Sequence, residues 1–171
     1  MGRIRRGGIT IFLLALLGCL GCDQLTKAYA RSTLSERPPV RLVADTLRLE
    51  LAYNPGALLS LGADLPTPIR RGLFLVAIPI ALLALVTSLV RTGDLTHFQI
   101  LGLAAVCGGG LGNWLDRLLD EGLVTDFVSL GIGPLRTGIF NLADVAIVVG
   151  VAALLMGMAG GEKPQPAPEP D

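Results

Sequence analysis

Apolar residues run through this chain in four long blocks, separated by shorter polar stretches. The blocks cover about residues 9–30, 72–90, 97–115 and 139–158. A helix needs roughly 20 residues to cross the hydrocarbon core of a bilayer, so each block predicts a transmembrane helix. Pro79, inside the second block, is tolerable in a bilayer helix if neighbours cover the freed carbonyl. Gly102, Gly108, Gly109, Gly110 and Gly112 in the third let another helix approach closely. The pattern changes between the first two blocks. Pro38-Pro39 breaks any helix, and residues 46–53 then alternate, with Leu47, Leu49, Leu51 and Tyr53 opposite Arg48, Glu50 and Ala52. This period of two predicts a strand with one buried face. Asn54-Pro55-Gly56 ends it, Pro55 pushing Asn54 toward an extended conformation. Residues 57–62 offer a returning partner strand, residues 116–138 read as a loop, and the Pro-rich residues 160–171 read as a disordered cytoplasmic tail. The predicted fold is an all-α polytopic membrane protein of one domain, residues 1–159. It has four transmembrane helices and a small extracytoplasmic β-sheet, about residues 40–62, on the membrane surface.

Composition agrees with a membrane. Only 16% of the 171 residues are charged and 51% are hydrophobic, with mean hydropathy +0.63, whereas soluble domains carry about 25% charged residues. Zero formal net charge argues against a nucleic-acid partner. Cys19, Cys22 and Cys107 lie in apolar runs, and an odd number is no complete disulfide framework. The single histidine, His97, stands between Thr96 and Phe98 and builds no metal site, so neither metal nor cofactor is expected. The basic start followed by apolar residues also describes a signal peptide, and Leu16-Leu17-Gly18-Cys19 resembles a lipoprotein cleavage box. Three further apolar blocks make the chain polytopic either way. Arg3, Arg5 and Arg6 favour a cytoplasmic N-terminus, and four spans return the C-terminus there. Arg31, Arg37, Arg41, Arg48, Arg70 and Arg71, in or beside the first outer loop, run against that rule.

The stretch from Gly108 to Asp144 carries Asp116, Asp120, Glu121, Asp126 and Asp144 between two apolar blocks. Carboxylates at a bilayer edge are costly, which makes them functional candidates. Asn113 and Asp116 are three apart, as are Asn141 and Asp144, a spacing that on a helix puts each pair on one face. Asp23 and Lys27, four apart, are placed for a salt bridge. Under the four-span topology Asp23, Lys27, Asn54, Gly56, Asn113, Asp116, Arg117, Asp126, Asn141 and Asp144 all fall at the outer side. Two close carboxylates do not both ionise easily, so Asp126 and Asp144 read as a pair that activates water against a peptide bond. Asn113 and Asn141 suit orienting those carboxylates or holding substrate backbone, and Arg117 suits neutralising Asp116. Ser60, Ser129 and Cys107 lack a nearby base in sequence. The same carboxylates and amides also describe a small proton- or cation-coupled transporter, or a structural protein. Four short spans leave little room for alternating access.

Five blocks of the chain resemble, in order, the bacterial lipoprotein signal peptidases (signal peptidase II). Asp23-Gln-Leu-Thr-Lys27 resembles D-x-x-x-K, and Asn54-Pro-Gly56-Ala-Leu-Leu-Ser60 resembles N-x-G-x-x-F-S. Gly108-Gly-Gly-Leu-Gly112-Asn113-Trp-Leu-Asp116-Arg117 resembles G-G-x-x-G-N-x-x-D-R. Val124-Thr-Asp126-Phe127 resembles V-x-D-F, and Phe140-Asn141-Leu-Ala143-Asp144 resembles F-N-x-A-D. The resemblance implies an aspartic endopeptidase of the bacterial inner membrane, active at the extracytoplasmic face. Such an enzyme removes the signal peptide of prolipoproteins N-terminal to a diacylglyceryl-modified cysteine. It implies Asp126 and Asp144 as catalytic, with Asp23, Lys27, Asn54, Gly56, Asn113, Asp116, Arg117, Asn141 and Ala143 shaping the site. It further implies a mobile loop over the site, inhibition by globomycin-type cyclic peptides, and a monomer working in the lipid bilayer. Leu59 and Pro55 depart from the family pattern, which has an aromatic and a small polar residue there.

Overall fold

The structure, a computed structural model, describes residues 6–56, 62–91 and 95–159. Of the expected partner strand over 57–62, residues 57–61, with Leu59 and Ser60, lie outside the described residues, as do Arg3, Arg5 and the tail from 160. Four helices form: α1 (Arg6–Leu34), α2 (Thr67–Arg91), α3 (His97–Leu119) and α4 (Leu142–Ala159). α1 runs one turn beyond the predicted end because nothing breaks it before Pro38, and that extra turn carries Arg31. α2 begins five residues before the predicted 72, with Pro68 in its first turn, where no intrahelical donor is lost. α3 starts from a capping box: Thr96 Oγ1 accepts the Gln99 N–H, and Gln99 Oε1 accepts the Thr96 N–H at 2.9 Å. Among the described residues three helices are long and apolar enough to cross a membrane; α4 is apolar but shorter.

α3 is the hub, packed against α1, α2 and α4. Its glycines make this close approach sterically feasible. A Cβ at Gly102 would stand 2.7 Å from the Gly150 oxygen of α4, and one at Gly112 would stand 2.5 Å from Asp23 Oδ2 of α1. The outward surfaces of the other helices stay apolar and exposed, as at Leu14, Val76, Leu83, Val148 and Leu155. Exposure of that kind suits a hydrocarbon solvent and not water.

The sheet differs from the predicted one. It has four antiparallel strands in the order β1 (Val40–Leu42), β2 (Leu47–Asn54), β3 (Val124–Ile132) and β4 (Leu135–Arg136). The partner of β2 within the site is thus β3, drawn from the stretch expected to be a loop. The register pairs Leu49 with Val128 but Ala52 with Asp126, so a bulge falls between Leu49 and Ala52. An extra residue shifts the alternation of faces. Accordingly β2 shows no clean buried face: Leu47 through Ala52 are all half-buried and Tyr53 is exposed.

Candidate active site

Two polar stripes meet where α1 crosses the C-terminal half of α3. Asp23, Lys27 and Arg31 recur every four residues on α1, and Asn113, Asp116 and Asp120 follow one face of α3. Lys27 is fully buried, with Nζ 2.9 Å from Asp23 Oδ2, 3.1 Å from Asp116 Oδ2 and 2.8 Å from Asn113 Oδ1. All three ammonium hydrogens have an acceptor, which is what makes a buried cation tolerable. Asp116 accepts in addition the Thr125 N–H and the Gln24 amide, and Arg31 reaches both Asp116 and Asp120. Asp23 Oδ1 accepts the Ala143 N–H in the first turn of α4. The network therefore ties α1, α3, β3 and the start of α4 into one unit.

Arg117 corrects the sequence reading. It forms no ion pair with Asp116, whose charge is met by Lys27 and Arg31. Its guanidinium donates instead to the Asn113 carbonyl at 2.9 Å and the Gly56 carbonyl at 2.6 Å, over the Phe74 ring. One turn of helix separates Asn113 from Arg117, so the side chain folds back along α3 toward the β2 end. Arg117 thereby pins the turn after β2.

Beside this network lie Asp126 and Asp144. The β2–β3 register puts Asn54 and Asp126 on one face as diagonal neighbours, and Asn54 Nδ2 donates to Asp126 Oδ2 at 3.1 Å. Asn141 precedes α4 as its N-cap and is not on the helix face expected from sequence. Its Oδ1 accepts the Asp144 N–H at 3.0 Å, while Asp144 Oδ2 accepts the Asn141 N–H at 3.2 Å. Asn141 Nδ2 then reaches Asp126 Oδ1 at 2.6 Å and Asn113 Oδ1 at 3.0 Å. Asn113 Nδ2 donates to Asp144 Oδ1 at 2.8 Å. Each of the four carboxylate oxygens thus accepts one N–H, and two asparagines span the gap between the acids.

Each amide is oriented by a group that can only donate. Lys27 and the N–H groups of Asp144 and Gly56 occupy the oxygens of Asn113, Asn141 and Asn54 respectively. The amide nitrogens must therefore face the acids. Asp126 is 2% exposed, and burial, followed by the charge of Asp144, pushes its carboxyl up to about 6. Two alternative catalytic groups among the described residues are engaged or distant. Ser129 Oγ donates to the Thr137 carbonyl, and His97 stands at the other end of α3, about 24 Å along the axis from Asn113.

Elsewhere on the bundle, α1, α3 and α4 frame an open apolar groove of about 330 Å³, lined among others by Cys19, Cys22, Leu142 and Val145. Leu142 and Val145 come before and after Ala143 and Asp144 on α4, but neither acid lines the groove.

The sequence profile of the signal peptidase (SPase) II family matches residues 15–159. The chain belongs to the signal peptidase II family. Its relatives include the lipoprotein signal peptidase of Treponema denticola, 34% identical over 80% of this chain and 84% of that one. Those of Coxiella burnetii and Moorella thermoacetica are 38% and 37% identical, over 80% and 84% of this chain and 82% and 89% of theirs. Two solved structures described as bacterial membrane enzymes share the fold, with TM-scores of 0.72 and 0.74 at 23% and 24% identity. The match covers 97% and 94% of this chain and 98% of each of theirs. Signal peptidase II proteins are peptidases of lipoprotein processing, and the apolar exterior fits a membrane protein.

Among residues predicted for the site, Asp23, Lys27, Asn54, Gly56, Asn113, Asp116, Arg117, Asp126, Asn141, Ala143 and Asp144 join one connected set of contacts. Gln24, Arg31 and Thr125 also belong to it and were missed. Arg31 had a signal, since it continues the four-residue stripe of Asp23 and Lys27. Gln24 and Thr125 had none beyond adjacency to Asp23 and Asp126.

Proposed function

We propose that this protein is a membrane-embedded aspartic endopeptidase that removes the signal peptide of prolipoproteins N-terminal to a diacylglyceryl-modified cysteine. The observation that carries the reading is the asparagine-bridged pair Asp126 and Asp144, with an N–H on every carboxylate oxygen. The donors orient two acids toward shared space without supplying an acceptor for a carboxyl proton, which leaves that proton to water or substrate. One acid polarises the scissile carbonyl while the other takes a proton from water.

α4 completes the bundle as a fourth span, and the pair sits at the extracytoplasmic face of the bacterial inner membrane, with the N-terminus and the tail in the cytoplasm. The sheet lies over that face, and globomycin-type cyclic peptides compete for the same acids. The apolar groove between α1, α3 and α4 takes an alkyl chain of the modified cysteine, its apolar lining being the supporting feature. In this reading the enzyme works as a monomer in the bilayer. The test is purified protein in liposomes given diacylglyceryl-modified precursor. Release of a signal peptide is expected; proton or cation uptake without cleavage would replace this reading with the transporter.

A further inference from the structure

Asp126 and Asp144 each accept two N–H bonds, so the number of donors does not distinguish them. Their surroundings do. Asp144 is half-exposed at the third position of α4, where its Oδ2 accepts the Asn141 N–H and the helix dipole favours negative charge. Its Oδ1 partner, Asn113, has the Lys27 ammonium on its carbonyl oxygen, and a cation there strengthens the N–H at the other end of the amide. Asp126 sits in β3 and is buried, and it meets the start of α4 only through the side-chain amide of Asn141. Its donors, Asn54 and Asn141, have only backbone N–H groups on their oxygens.

We propose that Asp126 holds the proton of the resting pair and acts as the acid, that Asp144 acts as the base, and that Lys27 is a positioning residue enforcing this split through Asn113. The proposal rests on the hydrolase reading and deepens it. The charged groups facing the pair are Lys27 and Asp23 from α1 and Asp116 and Arg117 from α3. In the step, a water oxygen bonds to the scissile carbonyl carbon as Asp144 takes a water proton, and Asp126 gives its proton to the carbonyl oxygen. On collapse the carbon–nitrogen bond breaks, the leaving nitrogen takes the proton from Asp144, and a diol hydroxyl returns one to Asp126.

The test is an infrared titration of full-length protein, carrying isotope-labelled aspartate carboxyl groups, in nanodiscs from about pH 4 to 8, a range chosen to bracket the raised carboxyl of Asp126. A protonated-carboxyl band should titrate near 6. Asp126→Asn should remove it, and Asp144→Asn should keep it at lower pH because a neighbouring negative charge is gone. The opposite pattern, or loss in neither variant, overturns the assignment. In the Asp126→Asn background, Lys27→Met should restore a band on Asp144. Asn113→Ser should do the same and stands in if the Lys27 variant does not fold; no restored band overturns the positioning role. None of these readings needs cleavage, so normal bands with no precursor processing would sink the hydrolase reading alone.

Discussion

Asn113 and Asp116 stand one turn apart inside α3, whereas Asn141 and Asp144 straddle the start of α4. Inside a helix the backbone N–H groups are already paired, so the side chains at 113 and 116 turn to other elements. Asp116 collects Lys27, Arg31, Gln24 and the Thr125 N–H, and becomes the anchor between α1, α3 and β3. At a helix start the N–H groups are free, so Asn141 and Asp144 first satisfy each other's backbone. What is left over, Asn141 Nδ2 and Asp144 Oδ1, points into the site. One spacing yields an ion-pair anchor in one place and pre-oriented acid–base chemistry in the other.

The largest effect that separates the two elements is on cleavage. Asp144→Asn and Asp126→Asn keep size and most hydrogen bonds but cannot exchange a proton. Each should lower the rate of precursor processing by at least about 10³-fold, within the range for general acid–base groups. A gel-shift assay on lipidated precursor checks this, and wild-type rates in either variant would end the dyad account.

Asp116→Asn should act on stability instead. It leaves Lys27 and Arg31 short of a buried carboxylate, and breaking such a pair costs about 3–5 kcal/mol. Unfolding in detergent is the measurement. A variant as stable as the parent but inactive would move Asp116 from anchor to chemistry.

pH separates the pair from the anchor again. The folded protein holds the Asp126 carboxyl up at about 6, above its ordinary value of 3.8. Stability from this group is therefore present in full below that ordinary value and lost as pH rises through about 6. The parent should lose on the order of 3 kcal/mol relative to Asp126→Asn across that window. Parallel stability–pH curves for the two proteins would contradict the raised carboxyl.

Legibility in the sequence follows from which contacts are local. The apolar blocks are short-range patterns and could be read directly. Five motif blocks placed the polar set before any coordinates did. The pairing of β2 with β3 joins segments about seventy residues apart, and Asp126 with its glycine neighbours disguised β3 as a loop. The destination of Arg117 was hidden for a related reason. Adjacency to Asp116 suggested a pair, but neighbours one residue apart on a helix point about 100° apart, and Arg117 turned to Gly56.

The finest distinction lies within the second element, where Asn141 caps α4 and also donates to Asp126. Asn141→Ser separates those roles. Serine caps a helix about as well as asparagine, since its oxygen accepts the same N–H. It has no amide nitrogen to reach Asp126 Oδ1 or Asn113 Oδ1, which are 2.6 and 3.0 Å from Asn141 Nδ2. Losing those buried bonds should cost about 1–2 kcal/mol, less than Asp116→Asn. α4 should keep its start, seen as unchanged hydrogen-exchange protection in its first turns. Processing should fall roughly tenfold to a hundredfold, at or below the low end for a lost donor to a reacting group because Asn54 still holds Asp126. Frayed exchange at α4 with normal processing would reverse the roles, making Asn141 a cap and nothing more.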